Sequence, residues 1–378
     1  MYKFEDLIEE VKEFNTDLRY GLDDIVGVTI EKGLIPTIAN LTQTALDKFY
    51  IIKPETFVYN PRTHGVRLGM GYNDTCNTYI TTWNNVAFRV KDTAKNIVIP
   101  QYLWLYFCRP VWDRLTNFLA WGSSTIVFAW KDFLTIEIDL PSITRQREIV
   151  AEYETLTRRI RINEQMIQNL ESTAQTLYRK MFVDGIDKEN LPEGWKMGTI
   201  SDFCKDMKSG GTPSRSHNEY WNQDDYPWLK SGEVHNNIIV DVEEYISEAG
   251  LKNSSAKIIP SGSVVMAMYG ATAAQVAYLD CDTTTNQACC NMLCHSKEDA
   301  AYLFFHLLSN QEEIKKLANG GAQENLSQEL IAQQTIILLE DNKLKGIFVP
   351  ILDNLVVRYK ENFKLTELQS LLLAKMGQ

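Results

Sequence analysis

The 378-residue chain predicts a mixed α/β (α+β) fold, with two globular domains separated by two long antiparallel coiled-coil helices in a pseudo-twofold internal repeat. Two observations carry that prediction. The first is repetition. Leu170, Leu177, Lys180 and Met181 recur as Leu365, Leu372, Lys375 and Met376 at an offset of 195. Tyr102-Leu103-Trp104-Leu105-Tyr106-Phe107 is echoed by Tyr302-Leu303-Phe304-Phe305-His306-Leu307 at an offset of 200, and Leu119-Ala120-Trp121-Gly122 by Leu317-Ala318-Asn319-Gly320 at 198. The second is a heptad pattern that begins once in the middle of the chain and again, more weakly, near its end. A chain built as two copies of one unit suits a bipartite target, and DNA is the obvious candidate.

In chain order, residues 1–20 read as an amphipathic helix. Residues 25–140 mix short β-branched runs with Gly, Asn and Pro, which predicts strands at Asp24–Ile30, Phe49–Ile52, Val86–Val90 and Leu134–Ile138. A helix is expected over 100–119, opened by Pro100. From Arg145 to Met181 the apolar spacing alternates between four and three: Ile149, Tyr153, Leu156, Ile160, Asn163, Ile167, Leu170, Ala174, Leu177 and Met181. Such a helix is roughly 55 Å long. Its polar member, Asn163, would set register at some cost in stability.

Gly185 to Gly194 is a turn-rich linker, and a second mixed domain with a helix near 299–318 follows. The distal helix has the seam Ile351, Leu355, Arg358, Asn362, Leu365, Gln369, Leu372 and Met376, with Pro350 marking its start or a kink. The expected division is a first target domain at 1–144, a central helix at 145–184, a second target domain at 185–342 and a distal helix at 343–378. The flanking charges Arg158, Arg159, Arg161, Glu164, Arg358, Lys360 and Glu361 are left to face partners or solvent.

Composition narrows the function. An apolar content of 44% is that of a folded globular chain. No uncharged apolar run approaches the ~18 residues of a membrane span. The N-terminus lacks a basic segment followed by an apolar core, and the seven cysteines include no Cys-x-x-Cys pair, so reduced thiols in the cytoplasm are expected. The net charge of −11 argues against nucleic acid, but it is unevenly spread. Residues 1–24 hold eight acids against three bases. Residues 60–131 hold eight bases (Arg62, Arg67, Arg89, Lys91, Lys95, Arg109, Arg114 and Lys131) against three acids. That block suggests a local phosphate footprint, with chance clustering as the competing reading.

Several stretches resemble one family. Leu140-Pro-Ser-Ile-Thr-Arg-Gln-Arg-Glu-Ile149 leads into the central helix. Then come Leu191-Pro-Glu-Gly-Trp195, Gly210-Gly-Thr-Pro-Ser214, Tyr220-Trp221, Pro227-Trp-Leu-Lys-Ser-Gly-Glu233, Met268-Tyr-Gly-Ala-Thr272, Thr285-Asn-Gln-Ala288 and Gly321-Ala-Gln-Glu-Asn-Leu-Ser327. Their order is similar to that in the specificity subunits of type I restriction-modification systems, best over residues 100–378. The chain departs from the family after Leu338-Leu339, where Glu340-Asp-Asn-Lys replaces a Pro-containing, Gln-rich entry to the distal helix.

The resemblance implies a non-catalytic subunit with two target recognition domains, each reading half of a split, asymmetric DNA site. The helices would set the spacer and dock two methyltransferase subunits, which carry S-adenosylmethionine and flip the target base. A motor-nuclease subunit joins for restriction. Two alternatives stay open: the specificity part of a system in which modification and cleavage share one subunit, and a coiled-coil scaffold that never meets DNA.

The residues carry no enzymatic signature. Asn60-Pro61-Arg62 lacks the second Pro and the aromatic of an amino-methylation motif, and no ATP-binding Gly-rich loop is found. Cys281, Cys289, Cys290 and Cys294 read as buried thiols rather than a zinc site, because adjacent strand residues face opposite ways.

For DNA contact, Tyr59, Asn60, Arg62 and Arg67 lie on one Pro/Gly-shaped loop, where arginine suits guanine or phosphate and asparagine suits adenine. Ser123, Ser124 and Thr125 form a small-residue loop that lets backbone amides approach phosphate, matched in the second half by Gln323 and Asn325. Thr212, Ser214, Arg215, Lys230, Tyr269 and Thr272 complete the second set. Glu233, Asn286 and Gln287 read either as base contacts or as structural partners. Trp195, Trp221 and Trp228 read as core.

Overall fold

The acidic N-terminal run does not become a helix. Phe4–Leu7 makes one turn, burying Phe4 and Leu7, and the chain then extends into β1 (Ile8–Glu10). The reason is tertiary. Phe57–Tyr59 (β2), Arg62–Thr63 (β3), Met70–Tyr72 (β4) and Val86–Val90 (β5) follow, and β5 offers β1 a free edge, pairing Ile8 with Val90 and Glu9 with Arg89. A strand ladder with a cross-strand ion pair outweighs the helical spacing of Phe4, Leu7 and Ile8. The computed structural model describes residues 1–37, 44–63, 67–120, 126–221, 224–319 and 325–376. It divides into two units, Met1–Arg158 with Thr366–Gln378, and Arg159–Leu365.

In the first unit the antiparallel sheet runs β1-β5-β2-β4. The expected helix over 100–119 is two helices, α1 (Pro100–Phe107) and α2 (Pro110–Leu119). Pro110 supplies no N–H, and it holds Arg109 extended at φ −73°, ψ 139°, so the first helix must stop before it. The expected strand at 134–138 begins inside a helix, Trp130–Thr135, and only Glu137–Ile138 is extended and paired with Tyr2–Lys3. Ile126–Val127 forms β6. The core is aromatic: Phe57 stacks on Phe88 at 5.0 Å, and Phe107 meets Trp112 at 4.7 Å. Each such pair adds ~0.5–1.5 kcal/mol beyond area burial.

The central helix, α3 (Ile143–Phe182), has 40 residues, about 60 Å of rise. Ile149, Asn163, Ile167 and Ala174 are buried along it, and Tyr153, Leu156, Ile160, Leu170, Leu177 and Met181 are half-buried, while the residues between them are mostly exposed.

The second unit opens with Trp195–Thr199 (β7), Asp206–Ser209 (β8), Tyr226–Leu229 (β9), Asn237–Ile239 (β10), Val264–Ala267 (β11), Val276–Leu279 (β12), Thr284–Thr285 (β13) and Cys289–Leu293 (β14). Its main sheet has the order β8-β14-β11-β12-β10, with β10 and β12 parallel and the other pairs antiparallel. β9 and β13 pair in a smaller sheet. The apolar helix α4 spans Lys297–Ser309 and ends at Asn310; a separate helix, Gln311–Lys316, takes up the rest of the expected segment. Thr335–Leu339 (β15) returns to pair with β7.

The distal helix begins later than 343. Asp341 caps a short helix, Asn342–Gly346, by accepting from Lys343 N at 2.8 Å, and the long helix α5 spans Val349–Lys375. Pro350 sits in its first turn, where no N–H is needed. The departure at 340–343 is thus a capping device of its own.

Within each unit α3 and α5 run in opposite directions. In the second unit Arg159 meets Glu361, and Tyr178 lies 6.2 Å from Phe348. In the first, Gln369 donates to Thr157 at 2.7 Å, and Leu373 shares a core with Ile149 and Val150.

Candidate nucleic-acid interface

In the first unit the polar loop after β2 is shaped by its own backbone partners. Asn60 Oδ1 accepts from Arg62 N at 2.9 Å, an Asx turn, and Asn60 N donates to Gly69 O at 2.9 Å. β3 pairs antiparallel with β6, setting Thr63 against Ile126 and Arg62 against Val127. Arg62–Thr63 and Ile126–Val127, distant in sequence, therefore share one two-stranded ladder. Arg62 and Arg67 are exposed. Ser123, Ser124 and Thr125 lie outside the described residues, as do 64–66.

Tyr59 is a correction. It is fully buried, 5.9 Å from Phe128 and 5.8 Å from Phe133, and its hydroxyl donates to Phe128 O. Burial drives its phenol pKa up. It is a core residue, and every residue of β2 is buried.

The loop is anchored by groups that sequence reading missed. Lys32 Nζ donates to Asp113 Oδ1 at 2.6 Å and to Leu68 O at 2.7 Å, and Leu68 N donates to the same carboxylate at 3.3 Å. Both charges are nearly buried, at 8% and 12% side-chain exposure. At the other end Thr63 Oγ1 donates to Asn117 Oδ1 at 3.1 Å. Helix α2 thus grips the segment at Thr63 and Leu68. No local signal reveals a pair 81 positions apart.

The basic block dissolves in three dimensions. Arg89 pairs with Glu9 at 2.8 Å, Lys95 with Asp92 at 2.9 Å, and Lys91 donates to Glu5 O. Arg109 is buried over the Tyr106 ring. One pair, Arg89 with Glu9, joins the acid run to the basic block, and Arg62, Arg67, Arg114 and Lys131 are exposed without an ion pair among the described residues.

In the second unit the Gly-Gly-Thr-Pro segment is first of all a packing device. A Cβ on Gly210 would collide with the carbonyl oxygens of Thr285 and Asn286, and Gly211 N donates to Thr285 O at 2.8 Å. That close approach delivers Thr212 to Gln287, with which it hydrogen-bonds, and Ser214 to Ser216 at 2.8 Å. Arg215 stacks on Trp221, 3.5 Å from its centroid, and bonds Glu244 at 2.6 Å. Lys230 reaches Glu243 at 2.7 Å and Glu244 at 3.1 Å. The hydrogen bond from Arg215 holds the Glu244 carboxyl below its ordinary pKa, and Glu243 raises that of Lys230.

Trp228 is core, donating to Gly211 O at 2.9 Å, whereas half-buried Trp221 is the platform for Arg215. Glu233 is structural, accepting from Lys230 N and Glu243 N. Asn286 Oδ1 accepts from Ala288 N, so it too has a backbone role. Thr272 donates to Ser231 O at 3.0 Å. Tyr269 is 42% exposed and bridges to Asn325; Gln323 lies outside the described residues.

Among the helix flanks, Arg159, Arg358 and Glu361 turn out to tie the two helices. Arg159 bonds Glu361 at 2.6 Å, Arg358 bonds Glu361 at 2.8 Å and donates to Asn163 Oδ1 at 3.2 Å, and Asn163 Nδ2 donates to Asn362 Oδ1 at 2.8 Å. Lys360 pairs with Asp280 at 2.6 Å.

The thiols are free. Cys289 and Cys290 occupy different core clusters on opposite faces of β14, and burial pushes both up, Cys289 to about 12. Among the described residues no group of His, Cys, Asp and Glu is arranged to hold a metal, and no helix is long and apolar enough to cross a membrane.

Residues 192–364 match the family model described as the type I restriction modification DNA specificity domain. The HindI specificity subunit of Haemophilus influenzae, a type I restriction enzyme component, is 23% identical over 384 residues, covering 80% of this chain and 81% of that one. An Escherichia coli type I specificity subunit is 26% identical over 127 residues, covering 33% of this chain and 31% of that one. The crystal structure of a type I restriction-modification S subunit from M. genitalium shares the fold, with a TM-score of 0.58 at 15% identity, covering 100% of this chain and 95% of that one. Residues 192–364 therefore match the type I restriction modification DNA specificity domain, and the chain that carries them resembles the specificity subunits of those systems.

Proposed function

We propose that the chain is the DNA sequence-recognition subunit of a type I restriction-modification complex. It catalyses nothing itself, and it works in the cytoplasm. Two target recognition domains each read one half of a bipartite, asymmetric site on double-stranded DNA. The observation that carries this reading is the DNA-specificity domain over 192–364, within a chain that aligns with specificity subunits over most of its length.

The surfaces described above fit the role. The exposed Arg62 and Arg67 give the first half donors for guanine or phosphate. The second half offers Arg215, stacked on Trp221, together with Lys230, Thr212, Ser214, Tyr269 and Thr272. Their cations are held by Glu243 and Glu244 in the free chain, so phosphate must displace a carboxylate to reach them. A long antiparallel helix pair, α3 with α5, sets the spacer between half-sites in this reading.

The same pair docks two methyltransferase subunits, which bring S-adenosylmethionine, and motor-nuclease subunits join them for restriction. Leu368 and Leu371, 50% and 56% exposed, line an open groove of about 750 Å³ with Leu156 and Leu372. Subunit contacts bury such apolar faces.

The test is co-expression with a cognate methyltransferase and single-molecule sequencing of modified bases in host DNA. A split asymmetric motif that disappears when this chain is omitted is the expected result. A stable complex that modifies no split motif and binds no duplex would refute it.

A further inference from the structure

We propose that the outward face of α2 is a DNA-contacting surface of the first unit, with the Phe118 ring stacking against bases of the duplex and Arg114 meeting the phosphates beside it. The inference rests on the DNA-recognition reading above and deepens it.

Phe118 is 84% exposed, more than any other large apolar side chain of the described residues. It makes no ring contact among them, and it forgoes nearly all the burial that an aromatic side chain ordinarily gains on folding. Phe118 lies in the last turn of α2, which Ala120 N closes by donating to Thr116 O. The helix has ten residues, with Pro110 at its start and Trp112, Asp113 and Thr116 buried beneath it. Val111 (49% exposed), Arg114 and Phe118 follow at helical spacing on the opposite side, so one face is core and the other carries an arginine one turn from a bare aromatic ring.

The loop bearing Arg62 and Arg67 is fastened to this same helix. Asp113 accepts from Leu68 N, next to Arg67, and Asn117, next to Phe118, accepts from Thr63, next to Arg62. Thr63 and Leu68 are thus both pinned to α2.

Charge selects the occupant. Arg114 on this helix, and Arg62 and Arg67 next to the residues that α2 holds, are exposed without an ion pair among the described residues, in a chain whose net charge is −11. A protein partner for a lone aromatic would bring an apolar pocket and leave three arginines to be matched one by one. Duplex DNA brings both complements at once: a regular phosphate array for the arginines and flat apolar base faces for the ring. Apolar wedges of this kind unstack a base step, and the sequence dependence of that distortion adds selectivity where no hydrogen bond is made.

The experiment uses the full chain in complex with its methyltransferase, and duplexes carrying the first half-site with 2-aminopurine at successive positions. The wild-type complex should raise fluorescence at one step. Phe118→Ala should abolish that rise and weaken binding about tenfold or more, with the second half-site still read. Phe118→Trp should restore both. Arg114→Ala should lower the slope of log affinity against log salt by about 1. Unchanged affinity and unchanged fluorescence in Phe118→Ala would overturn the proposal while leaving DNA recognition intact. So would loss of methyltransferase co-purification, which would mark a protein interface. Failure of the wild-type complex to bind any duplex would overturn both readings together.

Discussion

Asn163 is fully buried in the middle of the helix pair, and replacing it with leucine separates two views of that contact. If only apolar burial matters, leucine should strengthen the pair. The geometry says otherwise. Asn163 donates to Asn362 Oδ1 at 2.8 Å and accepts from the Arg358 guanidinium at 3.2 Å. The first bond contributes about 0.5–1.5 kcal/mol and the second, to a charged donor, about 1.5–3. Arg358 Nε already lacks a partner, so the guanidinium has little to fall back on beyond Glu361. Burial of leucine returns about 1.5–3 kcal/mol. The balance is a loss of about 1 kcal/mol, which accelerates hydrogen exchange of the α3 and α5 amides about fivefold under conditions where opening is at equilibrium.

Removing all three polar partners, Asn163→Leu with Arg358→Leu and Asn362→Leu, should reverse the sign, because a fully apolar seam leaves nothing unpaired. The triple variant then lacks the polar contact that specifies register. Modified sites should appear at more than one spacer length. Slower exchange in the single variant, or a single unchanged spacer in the triple, would refute the argument that this contact trades stability for register.

Three further outcomes can be measured. Asp113→Asn leaves the Lys32 charge uncompensated in a nearly dry site and should cost about 3–5 kcal/mol, read by denaturation of the first unit; Lys32→Met with Asp113→Leu should recover much of it. The folded pKa of Glu244 lies below its ordinary 4.5, so its contribution is complete above 4.5 and is lost as pH falls through the lower folded value. Indole fluorescence of Trp221 should therefore change in that acid range and not in Arg215→Ala. Cys76 is exposed and should react with a thiol reagent first, whereas Cys289 and Cys290 should react only on unfolding, as mass spectrometry of labelled peptides would show.

What was legible in the sequence was what is local. A seam of ten positions at three-four spacing needs no distant partner to be recognised, and α3 starts two residues before the expected 145 and ends two residues before the expected 184. Pro110 was also legible as a break, but the apolar run on either side of it masked the signal. The N-terminus reads as helix because Phe4, Leu7 and Ile8 have helical spacing, and the strand partner of Ile8 is Val90, 82 residues away. Tyr59 was misread for a related reason. Phe57-Val58-Tyr59 has no polar alternation, which marks a strand buried on both faces, and the polar loop behind it drew attention to the wrong end of the run.

Charge shows most clearly where local reading stops. Acids clustered in residues 1–24 and bases clustered in 60–131 seem to promise two surfaces of opposite sign, yet β1 and β5 bring them together and Glu9 cancels Arg89. Arg62, Arg67 and Arg114 escape because the segments that carry them are held by other means. Asp113, the nearest carboxylate in sequence to Arg114, is turned inward and spent on buried Lys32 and the Leu68 amide. A buried ion pair that adds little net stability thereby has a second effect: it withdraws an acid from the surface and leaves three arginines open to phosphate.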